Sequence, residues 1–175
     1  MASPVAIESE RLLLRPFRSD DAAQVQRLAS EPEIVAGTLA IPHPYPDGAA
    51  EEWIERQAAD RAMHHFAITL RDSGTLIGAI GLDVEDAHDR AELGYWVGVP
   101  YWGNGYATEA ARMVIAYAFD TLQLHRVYAF HFVNNPASGA VLRKIGMTRE
   151  GTRRGHTRKG DAYLDSESYA ILRSA

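Results

Sequence analysis

Residues 102–109 read Trp102-Gly103-Asn104-Gly105-Tyr106-Ala107-Thr108-Glu109 and stand just before the chain's strongest helical pattern. The first turn of a helix leaves backbone N–H groups unpaired and carries a partial positive charge. Glycines and a small alanine let a pyrophosphate come close to those groups. The segment therefore suits an anion, although a tight strand-to-helix turn would use the same letters. Three better-known phosphate loops do not fit. A Rossmann loop wants a third glycine where Thr108 stands. A P-loop needs Gly-Lys-Ser/Thr, and a kinase needs its catalytic-loop and metal-binding signatures; the sequence has neither.

Other chemistry is narrowed by composition. With no cysteine, disulfides, thiolate zinc sites and a cysteine nucleophile are all excluded. The histidines form no His-x-x-x-His pair, and adjacent His64 and His65 diverge on either a strand or a helix. No metal site is expected. Glu92 lies on a strand leading into the glycine loop, where regular alternation puts it on one face with Gly94 and Trp96. Beside a half-buried slot such a carboxylate has a raised pKa and takes a proton through water; otherwise it is an exposed strand residue. Asn135 precedes Pro136 as a helix N-cap, with Ser138 in the first turn that follows. His131, on a strand, is a structural histidine or an alternative base.

The elements that must position these residues follow from periodicity. Residues 10–17 read as a strand, and Ser19-Asp20-Asp21 opens a helix with Ala22, Val25 and Leu28 on one face. Pro42, Pro44, Pro46 and Gly48 make 41–48 a loop, before a helix over Ala49–His64. Phe66–Leu70, Thr75–Val84 and Ala91–Val99 form an antiparallel meander with turns at Ser73-Gly74 and Asp86–Asp89. A helix over Ala107–Leu122 carries Ala110, Ala111, Val114, Ile115 and Ala118 at helical spacing. A strand over Arg126–Val133, a helix over Ala137–Ile145 closed by Gly146, and a hairpin of 147–154 with 162–172 complete the chain. The fold class is α/β (α+β): one domain over 1–175, with a mixed, mostly antiparallel sheet of about seven strands flanked by about four helices.

A chain of 175 residues buries roughly two-thirds of its unfolded surface, enough for a core without staples. A net charge of −5 argues against nucleic acid as a partner. Arg149, Arg153, Arg154, Arg158 and Lys159 nevertheless cluster around His156. They form a solvated hairpin, or they attract an acidic acceptor or a phosphate. No apolar run approaches the roughly 20 residues of a membrane span. Met1–Glu8 lacks the pattern of a signal peptide, so a cytoplasmic protein is expected. Base rates for soluble enzymes make a homodimer the open question of assembly.

Three separated segments resemble the GNAT superfamily of N-acetyltransferases, in its RimJ/RimL-type branch. They are Glu10–Phe17 followed by Asp20-Asp21-Ala22; Gly94–Val97 continuing through Tyr101–Ala110; and Asn135–Ser138 with Val141–Met147. Ile41–Pro46 resembles the branch's proline-rich loop. The resemblance implies the GNAT fold, acetyl-CoA as co-substrate and an amine acceptor, either a protein N-terminus or a small molecule. In the family's cofactor motif Trp102 takes the first place, Gly105 the glycine and Ala107 the last. The resemblance implies that N–H groups of Gly103, Asn104, Gly105, Tyr106, Ala107 and Thr108 hold the pyrophosphate. It implies that Tyr95, Trp96 and Val97 bond the pantetheine arm like an added strand, with a contact from Asn135. It makes Glu92 the general base and Ser138 the proton donor to the leaving thiolate. Many relatives use a tyrosine at the position of Leu142, which cannot donate. Tyr45 and Trp53 either line the acceptor side or simply pack. A CoA-binding sensor without useful catalysis, keeping the loop but not Glu92 or Ser138, is the alternative reading.

Overall fold

A computed structural model describes residues 6–174. Most of the Met1–Glu8 segment therefore lies outside the described residues. β1 (Ile7–Glu8) and β2 (Leu12–Arg15) form a small hairpin. A short 3₁₀ turn then leads into α1 (Ala22–Ala29), followed by α2 (Pro32–Gly37) and α3 (Ala49–Ala59). β3 (Met63–Leu70), β4 (Leu76–Glu85) and β5 (Arg90–Val97) are the expected meander. α4 (Tyr106–Ala116), β6 (Arg126–Phe132), α5 (Pro136–Lys144), β7 (Thr148–Lys159) and β8 (Ala162–Leu172) follow.

All eight strands form one sheet in the order β1-β2-β3-β4-β5-β6-β8-β7. Every neighbouring pair is antiparallel except β5 with β6. The count exceeds the expected seven by the two-residue β1, too short to carry a period. α2 is the helix missed, though Pro32 at its first turn is a standard start.

Two cores sandwich the sheet. One face packs α4 through Ala110, Ala111, Val114 and Ile115, and α5 through Leu142, on buried Leu12, Phe66, Ile68, Ile80, Leu93 and Val127. The small alanines let α4 lie close to the strands. The other face packs Val25 and Leu28 of α1 and Ala50 and Ile54 of α3 on Ala67 and Leu76. Each fully buried Leu, Ile or Phe contributes about 1.5–3 kcal/mol. Asp21 stitches β2 to α1: Arg15 donates to both its carboxylate oxygens at 2.8 Å, and the Arg18 N–H donates at 2.8 Å. Burial pushes the Asp21 pKa up, but these bonds outweigh it and hold it below the usual carboxylate value.

Three helix and strand ends differ from the periodicity. The helix expected to His64 stops at Ala59, because Asp60 turns the chain by accepting the Ala62 N–H at 2.9 Å, and Met63 already pairs with Asp83. The helix expected to Leu122 passes at Tyr117 into a π turn over Tyr117–Thr121. β7 runs past 154 to Lys159 across an irregular stretch between Arg153 and Thr157.

Candidate active site

β5 and β6 run parallel but pair only at Arg90↔Arg126, Ala91↔Val127 and Glu92↔Tyr128. Beyond Glu92 the strands part, and a slot opens between Leu93–Val97 and Ala129–Phe132. Gly98 donates to Ile77 across β4 at 2.8 Å. Alternation along an antiparallel ladder then turns the backbone groups of Gly94 and Trp96 toward β4 and those of Leu93, Tyr95 and Val97 toward the slot. The Trp96 carbonyl indeed lies against Gly78, leaving no room there for a Cβ. Of the three residues expected to offer backbone bonds, Tyr95 and Val97 face the slot and Trp96 does not. The Val97 carbonyl already accepts the Trp102 indole N–H at 2.5 Å. What remains is a stretch of open strand edge inside the molecule.

The loop closes the wide end of this slot. Gly103 and Gly105 have φ of +77° and +79°, backbone that glycine adopts without strain. Gly105 is the N-cap of α4, and no side chain caps the helix. The first helical bond is Glu109 N–H to Gly105 C=O at 3.0 Å. Among the described residues, the N–H groups from Gly103 to Thr108 have no partner inside the chain. They point outward at the positive end of a helix, where an anion is favoured. The Asn104 amide donates to the carbonyls of Tyr101 and Trp102 at 3.0 and 3.1 Å, which sets the loop's curl. The Trp102 ring is 50 % exposed and props the loop on the end of β5.

One carboxylate, Glu109, sits in the first turn of α4 and would repel an anion. Arg11 answers it with two bonds of 2.8 and 2.6 Å and Ser9 with one of 2.7 Å. Burial pushes the Glu109 pKa up, but these partners bring it below its usual value. A pair this exposed adds only about 0.2–1 kcal/mol of stability. Its consequence is local: Arg11 cancels the misplaced charge, donates to the Asn104 carbonyl at 3.0 Å and lies 4.8 Å from the Tyr106 ring centre. Arg11 was not singled out from sequence, because its partners are far along the chain.

The polar candidates reach the slot from opposite faces. Glu92 stands at its narrow end beside Asp83 of β4 and Tyr128 of β6. Burial first, then the Asp83 charge, raises its pKa; Tyr128 and Arg153 oppose the shift without cancelling it. On the same face Trp96, Tyr45 and Trp53 pack against the core of α1 and α3, Trp53 edge-on to Phe17 at 4.7 Å. On the other face Tyr95 reaches α5, where its hydroxyl lies 2.8 Å from Ser138 Oγ. Burial holds the Tyr95 pKa up at about 12, so the phenol keeps its proton. Asn135 is the N-cap expected: its Oδ1 accepts the Ser138 N–H at 3.3 Å. His131 lies on the α5 face, 8 % exposed, with Nδ1 2.8 Å from the Phe132 carbonyl and Nε2 against Gly139. It is separated by the sheet from anything Glu92 would serve. Leu142 is fully buried core. Among the described residues no group of three or more His, Cys, Asp or Glu gathers as for a metal ion.

An elongated ligand with a phosphate head and an amide-bearing tail fits these surfaces, the head on the loop and the tail along the open strand edge. Comparisons with known proteins identify the family. Residues 11–148 match the family model described as an acetyltransferase (GNAT) domain. Two Bacillus subtilis (strain 168) proteins named as uncharacterized N-acetyltransferases are similar over nearly full length. YoaA is 30% identical over 171 residues, 95% of this chain and 96% of that one. YnaD is 32% identical over 167 residues, with the same shares. The crystal structure of a GNAT-family acetyltransferase from Bacillus anthracis superposes with a TM-score of 0.86 at 27% identity, covering 96% of this chain and 98% of the other. With the glycine loop, the parted strands and these relatives in view, the chain belongs to the GNAT family of acetyltransferases and is an acyltransferase that uses acetyl-CoA as co-substrate.

Proposed function

We propose that the protein transfers the acetyl group of acetyl-CoA to a primary amine by direct attack, with both substrates bound together. The observation that carries this is the end of β5–β6 pairing at Glu92 and Tyr128, which opens a slot with a carboxylate of raised pKa on one face and a serine hydroxyl on the other. Acetyl-CoA supplies the activated thioester. The N–H groups of Gly103–Thr108 hold its pyrophosphate, and the slot-facing backbone of Tyr95 and Val97 holds its pantetheine arm. This aims the thioester at the narrow end, where Glu92 stands.

Glu92 acts as general base. An amine must lose a proton to attack, and a carboxylate with a raised pKa accepts it, directly or through one water. Ser138 serves the other half of the reaction. Tyr95 retains its proton and can donate to Ser138 Oγ, which frees the serine's own hydrogen for the departing sulfur. Asn135 fixes the turn that presents Ser138. Without a cysteine, no thiol of the enzyme can carry the acetyl group.

Initial-rate measurements of thiol release with varied acetyl-CoA and amine test the mechanism. Intersecting double-reciprocal lines are expected for direct attack, and parallel lines would point to an acetyl-enzyme. Glu92→Gln is expected to lower kcat by about 10²–10³ while leaving acetyl-CoA binding unchanged. Undiminished turnover in that variant would remove Glu92 from the reaction.

A further inference from the structure

Residues directly opposite one another in a sheet project to the same face. The Glu92 face can therefore be followed across β5, β6, β8 and β7. Glu92 is level with Tyr128 and Ala170; Phe130 is level with Ser168 and Gly151; Phe132 is level with Ser166 and Arg153. Arg153 thus stands on the base's side of the sheet, at the rim where β6 ends. Arg149 does not: it is level with Tyr169 on the α5 face, and its guanidinium is taken by Glu167 and Thr152. Arg126 is matched by Glu150 at 2.5 Å. Among the described residues no carboxylate pairs with Arg153, whose Nη1 donates only to His156 Nε2 at 3.4 Å.

The surroundings fix the strand that carries Arg153, while its side chain is exposed and within electrostatic reach of Glu92 and Glu150. The ladder of β7 is interrupted between Arg153 and Thr157, and the Gly155 N–H is tied to Asp165 Oδ1 at 2.7 Å. Further along the hairpin the Lys159 ammonium donates to the carbonyls of Val35, Ala36 and Thr38 at the end of α2, and lies 5.4 Å from the centre of the Phe132 ring. The hairpin is thereby pinned to α2 beside the slot. On β8, between β6 and Arg153, Ser166 and Ser168 are 0 % and 6 % exposed, and each hydroxyl lacks a hydrogen-bond partner. Arg153 is also near enough to Glu92 to pull its pKa down against burial.

We infer that Arg153, backed by the Ser166 hydroxyl, is an anion subsite for the acceptor: the amine presented to Glu92 belongs to a molecule that also carries a carboxylate. This rests on the acetyl-transfer reading and deepens it. The amine and the anion of one substrate are held at opposite ends of a single face, one by a carboxylate and the other by a guanidinium. A free amino acid and a peptide N-terminus followed by an acidic side chain share that chemistry, and the test separates them.

The experiment is thiol release with matched acceptors. Amino acids are compared with their carboxamides, and peptides bearing Asp or Glu at the second position with the same peptides bearing Asn or Gln. The wild-type protein is expected to prefer the acid of one of these sets at least tenfold in kcat/KM, and the set names the source. Arg153→Gln is expected to abolish that preference by raising KM for the acid at least tenfold more than KM for its amide. Arg153→Lys should restore part of the preference, and Arg154→Gln should leave it intact. Equal rates for acids and their amides, or a loss in Arg153→Gln shared equally by both, overturn the subsite while leaving acetyl transfer standing. Failure of every amine to release thiol, with acetyl-CoA still bound, overturns the acetyl-transfer reading and the subsite together.

Discussion

The two halves of the slot are built by different means. The side proposed for the cofactor is almost all backbone: an unbroken run of N–H groups from Gly103 to Thr108 and the open edge of β5, both within one continuous segment. The side proposed for the acceptor is all side chains. Glu92, Phe132, Ser166 and Arg153 come from four different strands and share a face only through the register of the sheet. A ligand that never varies can be held by groups every residue possesses, provided the backbone has the right shape. A variable acceptor must be read by side chains, which evolution can exchange without disturbing the loop.

Substitutions sharpen this contrast. The largest effect is expected from Gly105→Val. A β-branched residue at φ +79° strains the turn by about 1–2 kcal/mol, and its side chain blocks the anion's approach. kcat/KM for acetyl-CoA should fall at least about 100-fold, and acetyl-CoA should no longer raise the thermal midpoint. A Gly105→Val protein stabilised like wild type would mean that the loop is only a turn.

Glu92 is the next test, and it has a pH signature. As a base it works only when ionised, so kcat/KM should fall as pH drops through its raised pKa, above the ordinary carboxylate range. Glu92→Gln should lose that acid limb. Stability should move the other way. A carboxyl whose folded pKa is raised stabilises the fold below its unfolded pKa, and that contribution is lost as pH rises through the folded pKa. Glu92→Gln, neutral throughout, is expected to melt higher than wild type at pH 7 and to match it near pH 3. An equal midpoint at pH 7 would show that burial costs the carboxylate nothing.

On the opposite face smaller losses are expected. Ser138→Ala should lower kcat about tenfold, and Tyr95→Phe by about threefold. A double variant no worse than Ser138→Ala alone would confirm that Tyr95 acts through the serine. Smallest is the charge repair under the loop. Arg11→Met should raise KM for acetyl-CoA a few-fold by unmasking Glu109, and Arg11→Met/Glu109→Gln should recover most of it. If the second change recovers nothing, Arg11 acts on loop shape through Asn104 rather than on charge.

How much of this was legible in the sequence depended on whether the signal was local. The meander, α4 with its alanine stripe and the Asn135-Pro136 start of α5 all lie where periodicity and capping put them. The glycine loop was legible for the same reason. Helix α3 was drawn too long because nothing between Asp60 and Met63 breaks a helix by composition; it is the pairing of Met63 with Asp83 that claims those residues for the sheet. Two of the arginines of β7 show the remaining gap most clearly. Arg149 and Arg153 look alike in a basic stretch, yet a register shift in β7 between Arg149 and Gly151 places one on each face of the sheet.

The sequence by itself determined most of the elements, the glycine turn and the family, because each is written in patterns a few residues long. Only the tertiary structure decided that pairing ends at Glu92, that Tyr95 holds Ser138 and that Arg153 shares a face with Glu92. Those facts depend on register between distant strands, and register is set by the summed burial of a whole sheet rather than by any residue in it.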